Sequence, residues 1–156
     1  MPIPPVCHPY AFVGSDAFPY IDEKSNTLAW DAPYETGRAH PRGAGTHAKI
    51  LRLVREQNVI PLMDAVAKMS YHPAKFIEDT VLSMRKRGRM QTGMIADITI
   101  FNPDTVTDNS DYPVGKAGLP CTGIPYVIVN GTVVVRDSKV LKEVYPGQPI
   151  RARVLD

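Results

Sequence analysis

Near the end of the chain, the dipeptide Asn130-Gly131 separates two short runs of β-branched and aromatic residues. The runs cover residues 126–129 and 132–136. Because both central residues of a type I′ turn need positive φ, an Asn-Gly pair between two such runs predicts an antiparallel hairpin with a two-residue loop. The hairpin has an apolar face, so other segments of the chain are expected to pack against it.

A further strand is predicted at residues 97–101, which alternate in character and end at the turn signal of residues 102–104. Residues 104–123 show neither helical nor strand periodicity and are interpreted as irregular. The last segment contains Pro146 and Pro149 and is interpreted as an edge segment of a sheet. The C-terminal half is therefore predicted to hold three or four strands that look like part of a larger sheet.

The beginning of the chain is rich in proline, with five of the 15 prolines in the first twenty residues. Proline removes the amide that a sheet ladder needs, so this part is predicted to be extended or irregular, with a short strand possible at residues 11–13. Residues 22–45 are polar, contain three glycines and show no periodicity, which indicates a long loop. Loops of that length are uncommon in compact domains and are usually functional or disordered.

Residues 46–77 are predicted to be helical. Thr46 is a suitable N-cap for a first helix, Pro61 starts a second, and Pro73 opens a short third helix. The basic run at residues 85–89 follows, and it is interpreted as a solvated connector rather than as a phosphate patch or nuclear-localisation signal.

Composition excludes several classes of protein. Lys+Arg 18 against Asp+Glu 16 gives a net charge of +2, too small to indicate nucleic acid or an anionic membrane as a partner. No stretch approaches the ~18 apolar residues of a transmembrane helix, and the first residues lack the pattern of a signal peptide, so the chain is predicted to be cytoplasmic. Cys7 and Cys121 are the two cysteines, which excludes a disulfide scaffold and a four-cysteine zinc site.

Three residues are candidates for chemistry. Asp16 follows a short apolar segment and a glycine, and the end of a barrel strand is a common place for a catalytic carboxylate, although an aspartate there also suits a loop cap. His40 and Arg42 lie in a glycine-bounded segment where they could hold an anionic group, or could simply be solvated. No pair of histidines has metal-binding spacing, and the adjacent Cys7 and His8 cannot both ligate easily.

Short sequence blocks along nearly the whole chain match one family in order. They are His8-Pro9, residues 13–17, His40-Pro41-Arg42, Gly45-Thr46, Met69-Ser70, Pro73-Ala74, residues 87–89, Gly93, residues 96–101 and residues 129–131. Together they resemble the last third of an amidohydrolase of the D-aminoacylase type, the family of the N-acyl-D-amino-acid and N-acyl-D-glutamate deacylases.

The resemblance implies an α+β chain. Residues 1–90 would be the remnant of a metal-dependent (β/α)₈ barrel, with its eighth strand, an active-site loop at residues 37–45 and the following helices. Residues 91–156 would be the C-terminal portion of a small flanking β-sandwich. Within that portion, Asp97 is interpreted as structural, with its carboxylate accepting hydrogen bonds from backbone donors at the strand start.

The resemblance also implies site residues, a cofactor and a substrate. Asp16 would be the metal-site aspartate, which in the family takes a proton from the attacking water and passes it to the leaving amine. His40 and Arg42 would border the pocket for an N-acyl-D-amino acid. Zinc is the cofactor of the complete family enzyme.

Most of the family's metal ligands have no counterpart in this sequence. The family places paired histidines on its first barrel strand and further ligands on its middle strands, whereas a catalytic zinc needs about three protein ligands. We therefore expect no stably bound zinc and no hydrolase activity from this chain alone, which would be a piece of a longer protein, a truncated frame or one part of an assembly. The alternative is a small non-catalytic protein that binds a partner or itself. Uncovered apolar faces would favour a homo-oligomer unless the missing N-terminal portion covers them.

Overall fold

The computed structural model describes residues 5–18, 32–33 and 40–152, and its helices precede its strands along the chain. The helices are α1 (Pro41–Gln57), α2 (Leu62–Met69) and α3 (Tyr71–Ile77), with 3₁₀ turns at Pro5–Cys7 and Leu82–Lys86. The strands are β1 (Ile98–Ile100), β2 (Tyr126–Val129), β3 (Thr132–Arg136) and β4 (Lys139–Val140). In this described part, no helix combines the length and apolar character that crossing a bilayer requires.

The four strands form one antiparallel sheet in the order β1-β2-β3-β4. The predicted hairpin is confirmed, because Asn130 and Gly131 join β2 to β3 with φ values of 48° and 79°. Val127 pairs with Val135 and Ile128 with Val133, so β3 contains one extra residue and the strict alternation of the two faces is interrupted by a bulge. Strand β4 was not predicted from the sequence.

Asp97 fastens the hairpin turn to the start of β1. Its Oδ1 accepts a hydrogen bond of 2.8 Å from the backbone N–H of Asn130, and the neighbouring Ala96 carbonyl accepts one of 2.9 Å from Gly131. Its other oxygen pairs with Arg87. The structural interpretation of Asp97 is confirmed, with the difference that its backbone donor belongs to the hairpin turn and not to its own strand.

Helix α1 begins five residues earlier than predicted. It starts at Pro41, and His40 is its N-cap, whose Nδ1 accepts a hydrogen bond of 3.1 Å from the backbone N–H of Arg42. Thr46, the predicted cap, lies inside the helix and donates its hydroxyl to the Arg42 carbonyl at 2.8 Å. The prediction of a loop is therefore wrong for residues 41–45, where proline at the first position and a capping side chain favour the helix. Residues 22–31 and 34–39 of that loop lie outside the described residues.

The other helices agree with the sequence within two residues. Helix α2 follows Pro61 directly, and α3 begins at Tyr71, two residues before Pro73. The possible strand at residues 11–13 does not form, although the Val13 N–H donates to the Lys68 carbonyl at 2.9 Å. Residues 145–152 form no strand, and residues 153–156 of the predicted edge segment lie outside the described residues.

The basic run at residues 85–89 is not a solvated connector, so that interpretation is wrong for two of its arginines. The side chains of Arg87 and Arg89 are only 13% and 15% exposed, and they pair with Asp97 and with Glu78. Hydrogen bonds from Lys75 and then from Arg89 lower the pKa of Glu78. The run therefore consists largely of ion-pair donors that join α3 to the beginning of the sheet.

A small core lies between α1 and the segment that follows β1. Ala48, Leu51 and Val106 are its buried members. The apolar side chains packed around them are Leu62, Met69, Phe101, Cys121 and Ile124. Many large apolar side chains in the described residues remain mostly exposed, among them Tyr10, Phe18, Met63, Phe76, Met90 and Tyr145. Residues from both sides of position 90 build this core. The division of the chain into residues 1–90 and 91–156 stays a prediction.

Replacing Gly131 by valine is expected to destabilise the hairpin. A β-branched residue at φ 79° is strained, and left-handed backbone costs roughly 1–2 kcal/mol per residue. Gly147 is a matched control, since it lies outside the left-handed region and a Cβ there meets no atom within 4 Å. Denaturant unfolding should show a loss for Gly131→Val of about that size relative to Gly147→Val, and equal stabilities would contradict the turn geometry.

Candidate functional site

Asp16 lies at the end of an extended segment that runs beside α2. Its backbone is left-handed, with φ 49°, a conformation that aspartate tolerates better than most residues. Its side chain is 82% exposed, and Oδ2 lies 3.3 Å from Nη2 of Arg42. The structure thus brings together two of the three predicted site residues, which are separated by 26 positions in the sequence.

Arg42 projects from the first turn of α1, where the backbone N–H groups of the helix are directed outward. Its side chain is about one third exposed, and its Nε atom is buried without a hydrogen-bond partner among the described residues. The exposed Asp16–Arg42 ion pair adds little to stability. The pair is therefore of interest for its chemistry, because it holds a carboxylate and a guanidinium side by side at one surface.

His40 caps the same helix and contacts a tyrosine that the sequence analysis did not single out. Because Nδ1 accepts the Arg42 N–H, the neutral ring carries its proton on Nε2. Nε2 lies 3.5 Å from the hydroxyl of Tyr112, and the two rings meet edge to face at 5.3 Å. Tyr112 comes from the irregular segment 104–123, so this segment contributes a side chain to the candidate site.

Segment 104–123 is held against the first turns of α1 by polar contacts. Ser110 Oγ donates to the Pro41 carbonyl at 2.9 Å, and the thiol of Cys121 donates to the Ala44 carbonyl at 2.9 Å. Burial raises the pKa of that thiol, so Cys121 is a poor nucleophile. A Cβ on Gly45 would lie 2.3 Å from Ser110 Oγ, so the absence of a side chain at this position permits the close approach.

Two arginines of α1 also bind segment 104–123, farther along the helix from the candidate site. Arg52 Nε pairs with Asp108 at 2.6 Å, and the Asp108 side chain is only 7% exposed. Arg55 donates to the Val106 carbonyl at 2.6 Å. Since α1 carries Arg42 and is capped by His40, these contacts fix the position of the site relative to the core.

The candidate metal ligands do not form a zinc centre by themselves. Within residues 5–18, 32–33 and 40–152, no three His, Cys, Asp or Glu side chains cluster as a metal site would require. His8 Nδ1 faces the Tyr10 N–H, and the Cys7 thiol donates to the Val59 carbonyl. Asp16 could supply one oxygen ligand, whereas zinc takes about three from a protein. The donor set of the described residues therefore does not fit zinc without further ligands.

Comparison with known proteins identifies one group of relatives. The chain is 34% identical to the N-acyl-D-glutamate deacylase of Alcaligenes xylosoxydans xylosoxydans over 128 residues, which are 81% of this chain and 22% of that protein. The D-aminoacylase of the same organism is 33% identical over 130 residues, again 81% of this chain and 22% of the relative. No family model matches the chain.

Solved structures point to the same group. The N-acyl-D-glutamate deacylase of Bordetella bronchiseptica, in complex with zinc and a phosphonate mimic of the tetrahedral intermediate, superimposes with a TM-score of 0.70 at 33% identity. It covers 94% of this chain, which corresponds to 26% of that protein. A D-aminoacylase structure superimposes with a TM-score of 0.64 at 28% identity over 85% of this chain and 23% of its own.

The chain is therefore homologous to the D-aminoacylase-type amidohydrolases, and its fold matches theirs. Its relatives are the N-acyl-D-glutamate and N-acyl-D-aspartate deacylases and D-aminoacylase. The chain spans about a quarter or less of the length of the proteins it matches.

Proposed function

We propose that the chain provides the C-terminal portion of a zinc-dependent N-acyl-D-amino-acid deacylase, a hydrolase of non-peptide C–N amide bonds. The extended segment that ends at Asp16 corresponds to the eighth barrel strand, and α1–α3 are the helices that follow it. Strands β1–β4 are this portion's share of the flanking sandwich. The homology supports this assignment at the level of the family.

The observation that carries the proposal is the ion pair between Asp16 and Arg42. The pair brings the carboxylate of Asp16 next to the first turn of α1, the helix that His40 caps. Exposed carboxylates of this kind are available to a reacting group, and barrel enzymes place their chemistry at the ends of strands. The carboxylates of Asp97 and Glu78, by contrast, each already accept hydrogen bonds from two donors.

Asp16 is the proton carrier in this proposal. Its carboxylate takes a proton from the attacking water and delivers it to the nitrogen of the leaving amine, which is general base and then general acid catalysis at one group. Arg42 and the Nε2–H of His40 border the pocket as donors, and both suit the carboxylate of an N-acyl-D-amino acid. Zinc would polarise the amide carbonyl when bound, with Asp16 as one ligand and the others supplied by the barrel strands that have no counterpart in this sequence.

The isolated chain is expected to release no amino acid from N-acyl-D-glutamate, with or without added zinc. The reason is the ligand count, since one carboxylate does not retain a catalytic zinc. Amino-acid release and metal content after dialysis are the two measurements. Retention of one equivalent of zinc, together with turnover that disappears in Asp16→Asn, would contradict the expectation of inactivity.

A second candidate function is supported by the apolar surface. Met63 on α2, Phe76 on α3 and Val140 on β4 are 71%, 74% and 58% exposed. A second copy or a partner protein would cover such side chains, so the alternative is a non-catalytic protein that associates with itself or with a partner through these elements. Light scattering coupled to size exclusion should then give a homo-oligomer. A monomer of 17.2 kDa over a wide concentration range would exclude it.

A further inference from the structure

We propose that Lys68 is a positioning residue that holds the segment leading to Asp16 in place, and so keeps Asp16 opposite Arg42. The importance of that placement for catalysis rests on the proposed function of Asp16. The placement itself is a property of the contacts around Lys68 and can be measured without any activity.

Lys68 is buried, and within residues 5–18, 32–33 and 40–152 its ammonium forms no ion pair with a carboxylate. It is 6% exposed, and its Nζ donates to the backbone carbonyls of His8 at 2.7 Å and Ala11 at 2.8 Å, with the Pro9 carbonyl at 3.4 Å. Lysine is almost never fully buried unless it is paired, because taking its charge out of water is costly. Three carbonyl dipoles of residues 8–11 surround the ammonium, and these residues form the turn that leads into the segment ending at Asp16.

The main chain of Lys68 holds that segment a second time. Its carbonyl accepts a hydrogen bond of 2.9 Å from the N–H of Val13, three residues before Asp16. The side chain thus fixes residues 8–11 and the backbone fixes residue 13. The ring of Phe12 packs at 5.4 Å from Phe76 of α3, which attaches the segment to the helices from another direction.

Lys68 also connects the two members of the ion pair. It lies on α2, which packs against α1, the helix that carries Arg42. The path from Asp16 to Arg42 therefore runs from the extended segment through Lys68 to α2 and on to α1. An extended segment that forms no ladder with a neighbouring strand needs such a fixed point, because its other backbone groups are not ordered by a sheet.

The test replaces Lys68 by methionine, which keeps the length of the side chain and removes the ammonium. Lys49→Met is the matched control, since Lys49 is exposed on α1 and the change in charge is the same. Asp16→Asn serves as the reference in which the ion pair with Arg42 is lost. Hydrogen exchange of the Val13 amide and the ¹⁵N shifts of the Arg42 guanidinium are recorded by NMR for all variants.

In Lys68→Met, we expect the Val13 amide hydrogen to exchange about 10-fold faster or more. The reason is that the hydrogen bonds from the ammonium to the carbonyls of His8 and Ala11, which hold the neighbouring residues, are lost. The Arg42 signals should move to their positions in Asp16→Asn, whereas Lys49→Met should leave both readouts unchanged. Faster exchange at Val13 with unchanged Arg42 signals would give Lys68 a merely structural role and overturn the proposal.

If Lys68→Met does not fold, the original chain provides the decisive measurement. The Lys68 ammonium should then give a slowly exchanging ¹⁵N signal with hydrogen-bond couplings to the carbonyls of His8 and Ala11, and a rapidly exchanging ammonium would overturn the proposal. A functional enzyme that is insensitive to Asp16→Asn would instead contradict the proposed function and leave the NMR result for Lys68 intact.

Discussion

Gly123→Ala is expected to be among the most destabilising single substitutions in this chain. Gly123 has φ 79°, and a Cβ there would lie 2.6 Å from Cα and 2.7 Å from the backbone nitrogen of Val106. Val106 is fully buried in the core and cannot move aside, because backbone atoms and not a flexible side chain form the obstacle. Left-handed strain and overpacking together should cost about 3 kcal/mol or more.

Gly93→Ala is the control for this prediction. Gly93 has φ 83°, almost the same backbone strain, but a Cβ there meets no atom within 4 Å. The difference in unfolding free energy between the two variants, measured with denaturant, isolates the close approach between Gly123 and the backbone of Val106. Equal losses would show that the two backbones do not approach each other as the structure has them.

Under the proposed function, Asp16→Asn is expected to abolish activity in a chimera that joins this chain to the rest of a deacylase. In the chimera, this chain replaces the matching quarter of the Bordetella bronchiseptica N-acyl-D-glutamate deacylase. Asparagine keeps the shape of the side chain but cannot carry the proton from water to the leaving amine. Removal of a general acid–base group lowers kcat/KM by about 10²–10⁴-fold, and Asp16→Asn should fall in that range.

The control for the chimera is a second exposed aspartate that also pairs with an arginine. Asp79 is 87% exposed and lies 3.1 Å from Arg85, away from the candidate site. Asp79→Asn therefore repeats the loss of an exposed ion pair without touching the proposed proton carrier. Full activity in Asp79→Asn and its loss in Asp16→Asn is the expected pattern, and a chimera that tolerates both changes equally would contradict the role of Asp16.

The parts of the fold that could be predicted are those encoded by neighbouring residues. The hairpin at Asn130-Gly131 follows from turn chemistry alone, and the helix starting after Pro61 follows from proline at a first turn. The start of α1 was missed although its signals, Pro41 at the first position and His40 as the cap, are also neighbours in the sequence. What local sequence does not encode is the packing of Ser110, from a segment far along the chain, beside Gly45.

Only some residues of the candidate site could be predicted from the sequence. Asp16 could be singled out from the glycine and apolar residues before it, but only the resemblance to a family connected it with Arg42. Tyr112 and Lys68 were missed, because their contacts with His40 and with residues 8–11 span 57 to 72 positions of the sequence. A buried lysine surrounded by carbonyls has no local signature, because in the sequence Lys68 looks like an ordinary polar residue of an amphipathic helix.

The most direct measurement of the central claim is the position of zinc relative to Asp16 in crystals of the chimera. Anomalous diffraction at the zinc absorption edge locates the ion without reference to activity. We expect a peak about 2.0–2.2 Å from a carboxylate oxygen of Asp16, the normal zinc–oxygen distance, and the loss of that contact in Asp16→Asn. A fully occupied zinc that lies beyond ligand distance of Asp16 would contradict the account.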